Sequence, residues 1–218
     1  MTNSASSDRD VSLFRRPRQA RSRQRFEAIL DSAALLLQTQ EPDEISIYTL
    51  AETTGISPPS IYHFFPDASH VFQALAERFY DRFVEAFDRP PVGEILTWQD
   101  LQNARYEEGR DYYNDNMAAR RLLLGSGMSA MIRARDLEID RQLAERLAEE
   151  LRQYFVIPDL PDLVQRLTEQ LIISDALWTL SVHRHGLITD EIYEQSRRAR
   201  EAFGRTFLPE YLPLREPQ

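Results

Sequence analysis

An acid-free arginine segment near the N-terminus carries side chains suited to binding a polyanion. Between Ser12 and Phe26 the chain has six arginines and no acidic residue. Guanidinium groups bind phosphate oxygens through charge-assisted, often paired hydrogen bonds. A run of like charge is also typical of a solvated tail, so the segment alone leaves both interpretations open. The arginines predicted to contact phosphate are Arg15, Arg16, Arg18 and Arg21.

A second group of polar side chains lies between Ile47 and Phe65, where the chain reads IYTLAETTGISPPSIYHFF. The pattern predicts two short helices and a tight turn, because Ser46 can cap the first helix and Gly55 can end it in a left-handed conformation. A proline suits the first turn of the helix that follows. The alternative interpretation is an ordinary helical hairpin. The side chains predicted on the outer face of the second helix are Ser57, Pro59, Ser60, Tyr62 and His63.

The net charge is unevenly distributed along the chain. The whole sequence has a formal charge of −9, and from Pro66 onward there are 19 arginines against 27 acidic residues, a difference of −8. A basic N-terminal region on an acidic remainder would attract DNA at one end only.

These segments belong to a chain whose apolar residues recur at helical spacing. Proline and glycine breaks divide it into about nine helices, and no window alternates as a strand does, so an all-α fold is predicted. The helices are expected at 17–40, 46–54, 57–65, 68–88, 97–115, 117–125, 128–155, 159–185 and 189–208. We expect a disordered tail over 1–13, a helix-turn-helix head over 14–66 and a larger helical body over 67–218.

Other classes of protein find little support in the sequence. Cysteine is absent, and His183 and His185 lie about 200° apart around a helix, so they cannot bind one metal from one face. A nucleophile elbow follows a strand, and no strand is predicted before Gly125-Ser126-Gly127. Acidic residues are spread over the predicted helices and are interpreted as solvated charge. We therefore predict no catalytic residue, metal or cofactor, no membrane span or signal segment, and a cytoplasmic location.

Aromatic and methionine side chains of the predicted body could line an apolar cavity. The same residues at helical spacing also form the core of any helical bundle, so both interpretations stay open. A polar or anionic end of a small, mainly hydrophobic effector could be held by a tyrosine hydroxyl or by one of the nearby Arg105, Arg110, Arg120 and Arg121. The cavity candidates are Trp98, Tyr106, Tyr113, Met117, Met128, Met131 and Trp178.

The penultimate predicted helix is apolar around much of its circumference, so it needs cover on two sides. The last helix has apolar and small residues at matching spacing. A two-fold, four-helix interface between two copies of the chain would satisfy both helices. The residues predicted in it are Leu177, Ser181, Ile192, Ser196, Ala199 and Phe203.

The segment LAETTGISPPSIYHFFPDASHVFQAL resembles the DNA-binding signature of the TetR family of bacterial transcriptional regulators. The matching elements are Leu50-Ala51, Gly55-Ile56-Ser57, Ile61-Tyr62, Phe65 and Val71. The resemblance implies that three N-terminal helices bind DNA as part of a homodimer, and that the larger body dimerises and holds a small molecule. It implies that Thr49 and the outer face of the second short helix, Ser57 to His63, lie at or near the DNA.

The sequence departs from the family pattern at two points. The family commonly has a lysine at the start of the fourth helix, where this chain has Ala68, so we expect His70 to take over that phosphate contact. Two prolines open the second short helix, which makes base contacts at that edge apolar. The predicted function is a ligand-responsive repressor that binds a palindromic operator in double-stranded DNA. The alternatives are an activator of the same fold and a helical adaptor that binds protein in place of DNA.

Overall fold

The computed structural model describes residues 17, 19–125 and 129–215. The described residues form an all-α fold, as predicted, with a short 3-10 helix at Pro42–Glu44. The predicted tail over 1–13 lies outside them. The α-helices are α1 Ala20–Leu36, α2 Ile47–Thr54, α3 Pro58–Tyr62, α4 Ala68–Ala86, α5 Trp98–Asp115, α6 Met117–Leu123, α7 Ala130–Tyr154, α8 Leu163–His185 and α9 Asp190–Gly204.

Short polar residues fix where most of these helices begin. The side chains of Ser46, Asp67 and Thr97 each accept a hydrogen bond from a backbone N–H in the first turn of α2, α4 and α5. Such caps satisfy amide groups that have no partner inside the helix. Gly55 and Gly186 end α2 and α8 in the left-handed conformation, with φ values of 68° and 75°. These local signals explain why the predicted boundaries fall close to the observed ones.

The head and the body share a continuous apolar core. Leu50 of α2 and Ile61 of α3 are fully buried in the same cluster as Tyr113 of α5 and Trp178 of α8. Helix α4 connects the two regions, because Val71 near its start and Phe79 near its end both belong to this cluster. A second core cluster lies among α5, α7, α8 and the C-terminal segment.

The C-terminal segment folds back on α7, which the sequence pattern did not predict. The backbone N–H of Val156 donates to the carbonyl of Pro213 at 2.8 Å, and the N–H of Arg215 donates to Tyr154 at 2.8 Å. Leu208 and Leu212 are buried in the second core cluster. The segment therefore covers the end of α7 with irregular backbone.

Gly204 marks the closest approach between α9 and its neighbours. A Cβ atom at this position would lie 2.7 Å from Cη2 of Trp98 and 2.8 Å from Nε2 of Gln170. Trp98 is fully buried, and its indole N–H donates to the carbonyl of Pro209 at 3.0 Å. The ring therefore has little freedom to move away.

We predict that Gly204→Ala lowers the free energy of unfolding by about 1–3 kcal/mol, as overpacking of a filled core does. Chemical denaturation monitored by circular dichroism measures the change. Gly109→Ala is the matched control, because a Cβ atom there would meet Trp178 at 3.7 Å, an ordinary contact. Equal stability of the two variants would contradict this account of the packing.

Candidate nucleic-acid interface and ligand cavity

The helix-turn-helix is built on a small core that fixes α2 and α3 against α1. Leu50, Ile61 and Phe65 are each 0% exposed. The ring of Phe65 lies 4.9 Å from the ring of Phe26 on α1, centroid to centroid. Since Gly55 allows the tight turn between the two helices, α3 is held with one face inward and the other outward.

Most of the predicted DNA-facing residues lie on the outward surface. Ser57, Pro59, Tyr62 and His63 are exposed, and Thr49 and Ser60 are half-buried. Two pairs of hydroxyls are bonded locally, Ser57 to Ser60 at 3.0 Å and Thr49 to Ser46 at 2.9 Å. The side chain of Ser57 does not cap α3 itself.

Arg21 is exposed in the first turn of α1, and Arg23 and Arg25 follow it on the surface. No acidic residue occupies that first turn. The other three predicted phosphate-binding arginines, Arg15, Arg16 and Arg18, lie outside the described residues. The described part of α1 therefore begins with exposed positive charge.

His70, expected to replace the missing lysine, is held at the start of α4. Its Nδ1 atom lies 2.9 Å from Oδ1 of Asp67. Hydrogen bonds from Ser69 and then from His70 lower the pKa of Asp67 to about 2. Asp67 therefore stays ionised and orients the imidazole ring.

Arg121 joins the body to the head. Its Nη1 group donates to the carbonyls of Leu37 at 2.7 Å and Gln40 at 3.1 Å, just after α1. Its Nε group lies 3.0 Å from Oε1 of Glu41. Arg121 therefore satisfies carbonyls that follow α1. It also lines a cavity of about 360 Å³ together with Arg120 and Met117.

A cavity of about 70 Å³ lies between α4, α5, α7 and α8. Three residues predicted in the pocket, Tyr106, Tyr113 and Trp178, line it. The Tyr106 and Tyr113 rings each meet the Trp178 ring edge-on at 6.1 Å. Phe83 of α4 adds another aromatic wall.

The other predicted pocket residues do not line this cavity. Trp98 is buried in the second core cluster, and Met131 is half-buried on α7. Met117 is 43% exposed at the start of α6 and lines the cavity beside Arg121. Met128 lies outside the described residues. Helical spacing indicates an apolar face but cannot tell which core or cavity receives it.

The remaining predicted arginines are engaged elsewhere. Arg105 lies at the edge of the cavity, but its guanidinium pairs with Glu150 and also donates to the carbonyl of Arg89 at 2.8 Å. Arg110 pairs with acidic neighbours outside the cavity. Arg120 donates to the carbonyl of Tyr113 at 2.8 Å. Arg105 and Arg110 therefore have acidic partners, whereas Arg120 lines the cavity beside Arg121.

Three aspartates in the cavity wall contradict the interpretation of the acidic residues as solvated charge. Asp136 and Asp140 of α7 are 5% and 4% exposed, and Asp175 of α8 also lines the cavity. Carboxylate oxygens of the three lie within 4.8 Å of one another. The signal was present, because Asp136 and Asp140 are four residues apart and share a helix face.

The surroundings of these carboxyls favour their neutral forms. Burial, and then the charge of Asp136, raise the pKa of Asp140 to about 7. Burial, followed by Asp140 and Asp136, raises the pKa of Asp175 well above its ordinary value. Asp136 also has a raised pKa from burial, although Arg133 and Tyr80 oppose the shift. The hydroxyl of Tyr80 donates to Asp136 at 3.1 Å.

Half of the predicted dimer residues lie inside the protomer. Ser196 accepts a hydrogen bond from the indole of Trp178 at 3.1 Å, Ser181 donates to the carbonyl of Leu187 at 2.9 Å, and Ile192 is 7% exposed. Because these three side chains lie on the inward faces of α8 and α9, they are not available to a second copy. The half-buried members of the predicted set are Leu177, Ala199 and Phe203.

In the described residues, a three-helix head with a helix-turn-helix packs on a larger helical body. Solved TetR-family regulators have this fold. The chain superposes on one from Streptomyces coelicolor with a TM-score of 0.62 and 17% identity, over 84% of this chain and 79% of that one. For SmeT, the repressor of the Stenotrophomonas maltophilia multidrug efflux pump SmeDEF, the TM-score is 0.61 at 15% identity, over 88% of this chain and 96% of that one.

A sequence comparison agrees with the fold. The chain is 38% identical over 83 residues to the HTH-type transcriptional regulator EthR of Mycolicibacterium smegmatis. This match covers 36% of the chain and 38% of the relative's length. No protein-family model matches the chain. The resemblance to TetR-family regulators predicted from the sequence is confirmed. In the described residues, no helix is long and apolar enough to cross a membrane.

We predict that Asp140→Asn stabilises the protein, and more so at high pH. Asp140 ordinarily has a pKa of 3.8 and in the fold about 7, so between these values the folded chain holds a proton that the unfolded chain has lost. Wild-type stability therefore falls as pH rises from about 4 to about 7, by on the order of a few kcal/mol. The groups that face Asp140 are Tyr80, Tyr106, Tyr113, Arg133, Asp136 and Asp175.

Denaturation curves at about pH 5 and about pH 8 measure this difference. Glu149→Gln is the matched control, since Glu149 is exposed on the same helix and loses the same charge. A stability gain for Asp140→Asn that is independent of pH would contradict the assignment of a raised pKa.

Proposed function

We propose that the chain is a ligand-responsive, DNA-binding transcriptional regulator that acts in the cytoplasm as a homodimer and represses genes beside a palindromic operator. One observation carries the proposal. The outward face of the helix-turn-helix, with Pro59, Tyr62 and His63 exposed, lies in a head whose first helix begins with exposed arginines. Such a head suits a duplex, because basic and hydroxyl groups contact phosphates and the outward helix faces base edges.

The exposed residues fall into groups according to the DNA contact that each could make. Arg21 and Tyr62 can donate to phosphate oxygens, which positions the head without reading the sequence. Pro59 has no side-chain donor, so its contact with a base would be apolar, as against a thymine methyl group. His63 has ring nitrogens that could reach either a phosphate or a base edge.

Ligand response would act through α4. Phe83 in its second half lines the cavity, and Val71 in its first half packs in the core with the head. A ligand that widens the cavity would displace α4 and tilt the head with it. The two heads of a dimer would then no longer match half-sites about 34–36 Å apart. Release requires only that the ligand bind the tilted state better than the DNA-bound state.

Repression is favoured over activation by analogy. SmeT, whose fold is similar, is the repressor of a drug efflux pump. The alternatives are an activator of the same fold and a protein-binding adaptor. Selection of bound fragments from random oligonucleotides tests DNA binding directly, and an adaptor would enrich no sequence. A reporter gene fused to the selected site separates repression from activation.

We expect Tyr62→Ala to weaken binding to the selected operator by about fivefold or more, as loss of a hydrogen bond worth about 1 kcal/mol per head does. Because a phosphate contact carries no sequence information, non-operator DNA should be weakened to a similar degree. Fluorescence anisotropy with both duplexes measures this. Tyr211→Ala is the control, since Tyr211 is 78% exposed in the C-terminal segment. Unchanged affinity in Tyr62→Ala would remove Tyr62 from the interface.

The homodimer is proposed to form through the outer faces of α8 and α9, where Leu177, Ala199 and Phe203 remain partly exposed. Ala199→Glu would place an unpaired charge in that contact, which costs several kcal/mol when the site is occluded. We expect a folded monomer with weakened operator binding, measured by sedimentation velocity. Ala134→Glu on the exposed surface of α7 is the control. If Ala199→Glu stays dimeric, the interface lies elsewhere.

A further inference from the structure

Three carboxyl groups lie close together in the wall of an otherwise largely apolar cavity. Asp136 is partnered, by Tyr80 at 3.1 Å and Arg133 at 2.8 Å. Those two partners do not balance the charge of three neighbouring acids. Burying carboxylates without matching positive charge is unfavourable, and a hydrophobic residue of similar size would be more stable. The free protein therefore favours their neutral forms, and a positively charged partner from outside the chain would stabilise the ionised forms.

Two buried polar groups in the same wall are also unsatisfied among the described residues. Oδ2 of Asp140 has no hydrogen-bond partner. The hydroxyl of Tyr106 has none either, although Tyr106 is 5% exposed and lines the cavity. Ser174 lies beside this hydroxyl without forming a directed hydrogen bond to it. Because buried polar groups are nearly always bonded, this unpaired tyrosine hydroxyl independently indicates a ligand with a polar end.

The rest of the wall decides what kind of cation fits. Phe83, Tyr113 and Trp178 present ring surfaces, and Leu143 and Leu171 add aliphatic ones. A divalent metal ion takes about six oxygen ligands, several of them waters, and this wall is mostly apolar. An organic ammonium is less demanding, because aromatic faces attract it and its carbon body is stabilised by burial.

We propose that the cavity binds a protonated amine, with its ammonium group among Asp136, Asp140, Asp175 and the Tyr106 hydroxyl and its apolar body against Phe83 and Trp178. The inference deepens the proposed function, since it names the chemical class of the effector. It also differs from the expectation from the sequence, in which an arginine or a tyrosine hydroxyl would hold a polar or anionic end. At about 70 Å³ the cavity accepts a short amine as it stands, and a bulkier one would have to widen it.

Two matched series of small probes test the charge requirement on the full-length protein. One is n-butylamine, n-butanol and butanoate, and the other is 2-phenylethylamine, 2-phenylethanol and phenylacetate. Fluorescence reports binding, because Trp178 lines the cavity and the other tryptophan, Trp98, lies in the second core. We expect the amine of at least one series to bind about tenfold more tightly than its alcohol, with no binding of the carboxylates.

Variants locate the selectivity. Asp140→Asn combined with Asp175→Asn should reduce the preference for amine over alcohol to about twofold or less, and Asp175→Asn alone should reduce it partly. Glu149→Gln, exposed on α7, should retain the full preference. The asparagine amide in each variant has nearly the same size as the carboxylate it replaces. Thermal unfolding verifies that each variant is folded.

Several results would overturn the proposal: equal binding of amine and alcohol, no binding of either amine, or selectivity that survives the double substitution. Magnesium or manganese alone raising the thermal stability, with no effect of either amine, would assign a metal site in its place. Operator binding is measured in parallel. An amine that binds the cavity without releasing DNA would leave the ligand class intact and contradict the proposed regulation. Failure to bind any DNA would contradict the proposed function alone.

Discussion

Helix α4 imposes the constraint on which the rest of the structure depends, because its apolar surface is divided between two regions. Val71 and Phe72 in its first half and Phe79 and Tyr80 in its second half all belong to the one core cluster that head and body share. A close-packed core transmits displacement, since it has few voids to absorb one. The head therefore has no orientation independent of the body. Arg121 reinforces this from α6 by holding the carbonyls that follow α1.

The carboxylate cluster is connected to the same helix. Tyr80 of α4 donates to Asp136, so the hydrogen bond spans from the helix that carries the head to the acidic wall on α7. A cation placed among the carboxylates would change the charge that this hydroxyl faces. In the empty cavity, burial opposes the ionisation of these acids. A cation would favour the ionised forms. The free energy of that interaction could stabilise one arrangement of α4 over another.

Much of the fold follows from local sequence signals, and the cavity does not. Caps such as Ser46 and Asp67 and the left-handed Gly55 act within a few residues, so the sequence determines helix ends directly. Which face of a helix meets which neighbour depends on three-dimensional packing. Periodicity showed that Trp98 and Trp178 are buried, yet only Trp178 reaches the cavity. Ser181 and Ser196 were predicted at the dimer surface, but their hydroxyls form hydrogen bonds inside the protomer. The aspartates were misread because acidic residues are rarely buried.

The sign of the proposed ligand charge restricts how it can act on DNA. A positive ligand could not release a polyanion by direct repulsion, because it would add to the attraction. Its charge would also be largely cancelled by the aspartates, and charges in solution are screened within about 8–10 Å at physiological salt. Any effect on operator affinity must therefore pass through the packing of α4. An effector of this class would act by changing the position of α4, and its charge would matter only for its own binding.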